Sequence, residues 1–201
     1  HRRALAWKDA PAFMPLLRAN TSTSARALEL LILTAARSQE VRLAEWSEFD
    51  LEAKVWTVPA AHMKGGKVHR VPLSDAALDL LKRLPRHAGT MLLFPGTRSG
   101  RPLTDSTLSK FLRELLAGSR WTAVPHGFRS SFKDWARSCT AYADEVTELA
   151  LAHVNSDSTR AAYARDELLP KRAKLMRDWA THLATPSANA GTVVPMRRPA
   201  K

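Results

Sequence analysis

The sequence predicts an α+β fold that is mainly helical and carries a small three-stranded antiparallel sheet. Segments with apolar residues at helical spacing cover most of the chain, whereas the short runs that read as strands, alternating or rich in β-branched residues, lie within 49–73. Two glycines within that patch, in the stretch 64–67 (KGGK), are typical of a hairpin between its last two strands. We therefore expect a helical domain in which the sheet is a minor element.

Three helices are predicted before the sheet. Asp9 and Pro11 suit the start of the first helix, and the second is apolar on all sides, which indicates a buried position. A break near Arg37 separates the second helix from the third. The predicted ranges are 8–19, 22 or 23 to 36, and 38–46.

Three strands and six further helices are predicted after the third helix. Ser74 and Asp75 are typical of a helix N-terminus, and Pro85 ends that helix. The strands are expected at 49–51, 55–58 and 69–73. The later helices are expected at 76–84, 104–117, 125–137, 143–152, 158–166 and 168–183. The apolar spacing of the last one predicts docking on the domain's own core, with docking on a neighbouring protomer as the alternative.

Length and composition predict one sizeable domain with a tail. The chain has 201 residues, enough for a substantial core. We expect the domain to span 1–184, with 1–21 as a linker and first helix. The segment 185–201 is rich in Pro, Ala, Ser and Gly, so it is expected to be disordered or ordered by a partner. The abrupt start at His1 suggests a piece of a longer protein.

Charge and cysteine usage limit the classes of function. Lys and Arg number 31 against 19 Asp and Glu, which gives a formal charge of +12. Such a charge predicts a polyanionic partner, either nucleic acid or an anionic membrane surface. Cys139 is the only cysteine, which excludes intramolecular disulfides and cysteine-cluster metal sites and favours a cytoplasmic setting. No apolar run approaches the ~18 residues that span a bilayer.

Arg37, at the end of the buried helix, is the first candidate for holding a phosphate. A guanidinium stays charged and grips two phosphate oxygens, and a position beside an apolar core would hold it rigidly. The alternative is a cation that offsets the helix dipole. Glu40 would orient this arginine, or pair with Arg42 or another surface neighbour.

His126 and Arg129 are three residues apart, so on a helix they would lie on the same side. Pro125 fits the first turn of that helix, where exposed amides favour an anion. A phosphate there would meet both side chains. The alternative is a solvated basic face, because Arg120, Lys133 and Arg137 lie nearby in the sequence.

Lys64 is a candidate proton donor at the glycine-rich tip of the predicted hairpin. From that tip an ammonium would reach a DNA groove and protonate a leaving 5′ oxygen. Lys67 is an equal candidate by spacing alone, and either lysine would also serve as a nonspecific phosphate contact.

His153 and Tyr163 complete the candidate residues, and Tyr163 is one of two tyrosines in the chain. Tyr142 precedes Asp144 and Glu145, which would repel a phosphate, whereas Tyr163 lies between arginines. Since a phenol has a pKa of ~10, nearby cations would help it to ionise. The alternative for Tyr163 is a core tyrosine with a buried ring.

Together these residues resemble the catalytic domain of the tyrosine recombinases, the phage integrase family, over about 22–183. The stretches that carry the resemblance are 34–41 (TAARSQEV), 63–64 (MK), 71–74 (VPLS), 126–129 (HGFR) and 162–165 (AYAR). They look like the integrases of prophages and genomic islands. The resemblance implies Tyr163 as nucleophile, Arg37 and Arg129 as a phosphate clamp, and Lys64, rather than Lys67, as general acid. It also implies that His126 and His153 assist proton transfer and phosphate binding.

The resemblance further implies DNA cleavage and rejoining through a 3′-phosphotyrosyl link, which requires no cofactor, ATP or metal. The expected partner is double-stranded DNA at attachment sites, bound by a homotetramer that is a monomer when free, with possible accessory proteins that bend DNA or set direction. The arm-binding and core-binding domains of the family would not fit before residue 22, so an isolated catalytic domain is expected. A type IB topoisomerase-like enzyme, a non-cleaving DNA-binding regulator and a ribosomal-type RNA binder are the alternatives.

Overall fold

The fold consists of helices around one buried helix, with a small sheet at one side. A computed structural model describes residues 3–97, 100–153 and 168–185. In that part of the chain the helices are α1 Ala10–Arg18, α2 Thr23–Thr34, α3 Ser38–Leu43, α4 Asp75–Arg83, α5 Thr107–Leu115, α6 Gly127–Cys139, α7 Asp144–Ala150 and α8 Leu169–Ala184. The strands are β1 Phe49–Asp50, β2 Val55–Val58 and β3 His69–Pro72.

Helix α2 forms the centre of the core. It begins where the Ser22 hydroxyl accepts a hydrogen bond from the Ala25 amide, and nearly every residue from there to Thr34 is buried. Helices α1, α3, α4, α5 and α8 all pack against it. Glu29 is a buried carboxylate on α2, and Arg18 and Arg26 pair with it. The prediction that this helix is buried is confirmed.

The sheet has the order β1-β2-β3, and both pairs of strands are antiparallel. Trp56 of β2 stacks on Phe49 of β1 with ring centroids 5.2 Å apart, which anchors the strand pair to the core. β3 packs against α8. The connection between β2 and β3 spans the predicted range and contains a 3₁₀ turn at Ala60–His62 before the glycines.

Helix α8 docks on the domain's own core, as predicted. Leu175, Met176, Trp179 and Leu183 are buried, and the Trp179 indole donates a hydrogen bond to the Ile32 carbonyl of α2 at 2.8 Å. The Trp179 ring also packs on aromatic side chains of α6. This helix therefore fixes α6 and α2 relative to each other.

Several helix ends differ from the prediction. α2 ends at Thr34 rather than at residue 36, because Ala35 adopts a left-handed conformation with φ of 51°. α3 ends at Leu43 rather than at residue 46, because Ala44 is extended and its carbonyl accepts a bond from the Leu93 amide. The other described helices differ from their predicted bounds by one to three residues at an end. The helix predicted at 158–166 and the segment 186–201 lie outside the described residues.

Replacing Gly127 by alanine is expected to destabilise the domain. A Cβ on Gly127 would lie 2.2 Å from the Arg3 carbonyl oxygen, so the N-terminal segment, which receives a bond from the Val124 amide, would have to move. Overpacking of this kind costs about 2 kcal/mol, and the melting temperature should fall by about 4–8 °C. Calorimetry would measure the change, with Ser130→Ala on the same helix as control. Equal melting temperatures for the two variants would contradict the close packing.

Candidate active site

Arg37 is placed by the turn between α2 and α3. It is the residue before α3, and Glu40 accepts bonds from its backbone amide and from its Nη1, each at 2.8 Å. Glu40 is buried with 2% exposure, so this ion pair holds the guanidinium at the edge of the core. Arg42 instead contacts Asp105 and the Leu103 carbonyl. The structure therefore shows that Glu40 pairs with Arg37 and not with Arg42.

The C-terminal end of α7 supplies the carbonyls that this arginine meets. Ala152 is left-handed with φ of 47°, and the amides of Ala152 and His153 bond back to Leu149 and Glu148. The carbonyls of Leu151 and Ala152 are thereby turned toward Arg37, whose Nη2 lies 3.4 and 3.2 Å from them. Both carbonyls belong to the negative end of the helix dipole, which favours a cation there.

Arg129 is buried beside Arg37. It is 4% exposed, its Nη1 donates to the Ala35 carbonyl at 2.5 Å, and its Nη2 donates to the Leu151 carbonyl at 2.6 Å. Burial first, and then the charge of Arg37, lower the pKa of Arg129 to about 10. The guanidinium is therefore still charged at neutral pH. Two cations so close in a partly desolvated place favour an anion as their common ligand.

His153 lies against Arg129, since its Nε2 is 3.3 Å from Arg129 Nη2. Its Nδ1 lies 2.7 Å from a carboxylate oxygen of Glu148, and Lys133 of α6 pairs with the same carboxylate. The structure therefore brings Arg37, Arg129, His153 and their carboxylate partners together at one end of α7.

The remaining candidates lie on exposed or undescribed parts of the chain. His126 is exposed immediately before α6, so it does not share the buried environment of Arg129. Lys64 and its rival Lys67 are both exposed in the connection between β2 and β3. Tyr163 lies outside the described residues. Of the residues in the basic face considered as an alternative, Arg129 is buried, whereas Arg137 is exposed and pairs with Asp144.

Tyr142 has a structural contact. Its hydroxyl donates to Asp178 of α8 at 2.7 Å. Burial and this hydrogen bond raise the pKa of Tyr142, which makes its phenol harder to ionise. Both effects oppose a role as nucleophile, as its acidic sequence neighbours do.

Sequence reasoning missed a layer of side chains beneath this site. Arg172 of α8 is 1% exposed and contacts the Arg70 carbonyl and, at 3.4 Å, His69 Nε2. The ring of His69 also forms a hydrogen bond with the backbone of Ala150, the last residue of α7. The signal for Arg172 was available, because it falls on the apolar face of α8. For His69 no pattern in the sequence indicated burial beyond its place in a strand.

His69 is expected to make stability pH-dependent. Burial first, and then the charge of Arg172, lower its pKa to about 3, against about 6.5 in an unfolded chain. Between these values the unfolded chain binds a proton that the folded chain does not. The stability that a neutral, buried His69 contributes to the folded state is therefore present above pH 6.5 and is lost as the pH falls toward 3.

From pH 7 to pH 5 the His69 contribution should fall by about 2 kcal/mol. Urea unfolding at both pH values, for the wild type and His69→Asn, would measure it, because the variant lacks this titration. Parallel pH dependence in the two proteins would contradict a buried neutral His69.

The described residues contain no group of His, Cys, Asp and Glu arranged to hold a metal ion. Among the same residues, no helix has both the length and the apolar character needed to cross a membrane.

A mainly helical domain with this sheet, and with two arginines meeting at a helix end, has the fold of the tyrosine recombinase catalytic domains. The chain belongs to the phage integrase family, whose sequence model matches residues 4–168. The predicted fold class and the resemblance to this family are both confirmed.

Curated relatives include prophage integrases. The chain is 35% identical over 188 residues to prophage integrase IntA of Escherichia coli K12, covering 92% of this chain and 44% of that protein. It is 34% identical over 182 residues to IntZ of the same organism, covering 90% and 44%. It is 32% identical over 172 residues to the integrase of Enterobacteria phage P4, covering 78% and 39%. The chain thus spans less than half the length of these relatives.

Solved structures show the same fold at lower identity. The integrase from mycobacterium phage Brujita superposes with a TM-score of 0.68 at 18% identity, over 92% of this chain and 64% of that chain. A lambda integrase tetramer bound to a Holliday junction superposes with a TM-score of 0.59 at 18% identity, over 78% and 48%.

Proposed function

We propose that this chain is the catalytic domain of a site-specific DNA recombinase, an integrase that cleaves and rejoins DNA through a 3′-phosphotyrosyl intermediate and so integrates or excises a mobile element. The convergence of Arg37, Arg129 and His153 at the end of α7 carries this proposal, in a chain of the phage integrase family. The formal charge of +12 suits a DNA substrate.

In the proposed reaction Tyr163 gives up its phenolic proton to a histidine of the site and attacks the scissile phosphorus, and the bond to the 5′ oxygen breaks as the tyrosyl bond forms. Arg37 and Arg129 neutralise the oxygens of the transition state, while backbone carbonyls and the Glu40 carboxylate hold the two guanidinium groups in place. Lys64 protonates the departing 5′ oxygen, and His126 and His153 assist phosphate binding and proton transfer. Glu40 orients Arg37. Attack by another 5′ hydroxyl reverses the step and joins a new strand.

The proposed architecture follows the same family. Residues 1–184 form the catalytic domain, with 1–21 as linker and first helix. The DNA is double-stranded and contains attachment sites, and the protein acts on it as a homotetramer that is a monomer when free, with accessory bending or directionality proteins. The lambda integrase tetramer on a Holliday junction supports this assembly as an analogy. Its place of action would be the cytoplasm, at the nucleoid.

A nicked suicide substrate tests the function directly. The substrate contains an attachment site and a nick that lets the cleaved 5′ end diffuse away, so religation fails and a covalent complex accumulates. We expect a protein–DNA band that survives denaturation and disappears on protease treatment, without added metal or ATP. No such band on any candidate attachment site, despite DNA binding, would favour the non-cleaving regulator.

Supercoiled plasmid separates the proposal from a topoisomerase-like activity. The proposed recombinase joins two attachment sites and produces recombinant products. Relaxation of a plasmid that lacks an attachment site, with no recombinant product from plasmids that contain one, would instead indicate the type IB-like activity.

A further inference from the structure

His153 has contacts on opposite edges of its imidazole ring, and these contacts determine which ring nitrogen carries a proton. Nε2 lies 3.3 Å from Arg129 Nη2, and Nδ1 lies 2.7 Å from Glu148 Oε2. A guanidinium only donates hydrogen bonds, so Nε2 must be the acceptor. A carboxylate only accepts, so Nδ1 must carry the hydrogen. The two partners together specify the Nδ1–H tautomer.

Glu148 is itself held in place. Its side chain is 16% exposed, and Lys133 of α6 forms an ion pair with it. Burial pushes the pKa of Glu148 upward, but hydrogen bonds from Lys133 and His153 outweigh burial and keep that pKa below its usual value. The carboxyl is therefore ionised at neutral pH. The Glu148 carbonyl also accepts a bond from the His153 amide at 3.0 Å, so one residue fixes both the backbone and the ring of His153.

The carboxylate is unsuited to a direct role at the phosphate. A negative group would repel the phosphate that Arg37 and Arg129 attract. Glu148 lies on the Nδ1 edge of the ring, and Arg129 lies on the Nε2 edge. The contacts of Glu148 therefore leave Nε2 directed to the arginine cluster while the carboxylate stays behind the ring.

We infer that Glu148, set by Lys133, is a positioning residue that fixes the tautomer and the orientation of His153 for the reaction at the scissile phosphate. This inference rests on the proposed function and assigns a role to two residues on different helices. In metal sites a carboxylate behind a histidine ligand fixes the tautomer of that histidine in the same way. Loss of such a carboxylate commonly lowers activity about 10–100-fold.

A double-mutant cycle tests the inference through the rate of covalent complex formation on the suicide substrate. Glu148→Gln should lower that rate about 10–100-fold with DNA binding unchanged. In a His153→Ala background the same change should have less than about a twofold effect, because Glu148 acts through His153. Asp144→Asn is the matched control, since it removes an exposed ion pair between the same two helices.

Two outcomes would overturn the inference while the proposed function stands. One is a wild-type rate for Glu148→Gln, and the other is an equal loss in the His153→Ala background, which would indicate a structural role. Failure of the wild type to form any covalent complex would instead overturn the proposed function.

Nitrogen-15 NMR of the imidazole rings tests the tautomer independently of activity. We expect the Nδ1–H form for His153 in the DNA-free wild type and loss of that preference in Glu148→Gln. An Nε2–H form in the wild type would overturn the inference.

Discussion

Tyr163→Phe is expected to abolish covalent complex formation on the suicide substrate, with a loss of more than about 10⁴-fold. The phenyl ring retains the shape of the side chain but has no oxygen to attack phosphorus, and no other group would replace the nucleophile. DNA binding should persist, because the arginine cluster at the end of α7 remains. A denaturing gel of the reaction and a gel shift of the bound DNA would measure the two properties.

Tyr142→Phe is the matched control for this prediction. That hydroxyl donates to Asp178 on α8, so its loss should lower stability slightly and leave cleavage within about twofold of the wild type. The assignment of Tyr163 would be wrong if Tyr142→Phe abolished the complex while Tyr163→Phe still formed it.

Arg129→Lys is expected to lower the rate of covalent complex formation about 10³-fold. Lysine retains a positive charge, but a single ammonium cannot bond to the Ala35 and Leu151 carbonyls and to a phosphate in the geometry of a guanidinium. Loss of one well-placed transition-state donor costs about 10²–10³-fold, and loss of an arginine at phosphoryl transfer costs about 10³–10⁵-fold.

Arg137→Lys controls for a general effect of charge on α6. Arg137 lies on the same helix, is exposed, and pairs with Asp144, so this change should leave the rate unaltered. Thermal unfolding would verify that Arg129→Lys is folded. A folded Arg129→Lys enzyme with a rate near that of the wild type would show that Arg129 does not stabilise the transition state.

The sequence predicted the elements of the fold well because their signals are local. The buried α2 and the apolar face of α8 follow from spacing alone, and Ser74 caps its helix as expected. The ends of α2 and α3 were missed because they depend on tertiary contacts. Ala35 turns left-handed where its carbonyl meets Arg129, a residue far away in sequence.

The site was predicted only in part, for a similar reason. Side chains such as Arg37 and Arg129 have recognisable flanks, and the structure joins them through contacts at the end of α7. The backbone carbonyls that hold them have no residue-specific signal. Glu148 and Lys133 belong to different helices, so no spacing rule relates them, and their contact exists only because α6 packs on α7.

The central claim is that a 3′-phosphate of DNA becomes linked to Tyr163, and mass spectrometry of the trapped complex tests it most directly. Trypsin cuts after Arg160 and Arg165, so the nucleotide should appear on the peptide 161–165 (AAYAR) after nuclease digestion. Tyr142 lies in a separate peptide, 138–160. We predict a 3′-phosphonucleotide on 161–165 alone, and its appearance on 138–160, or a link through a 5′-phosphate, would contradict the account.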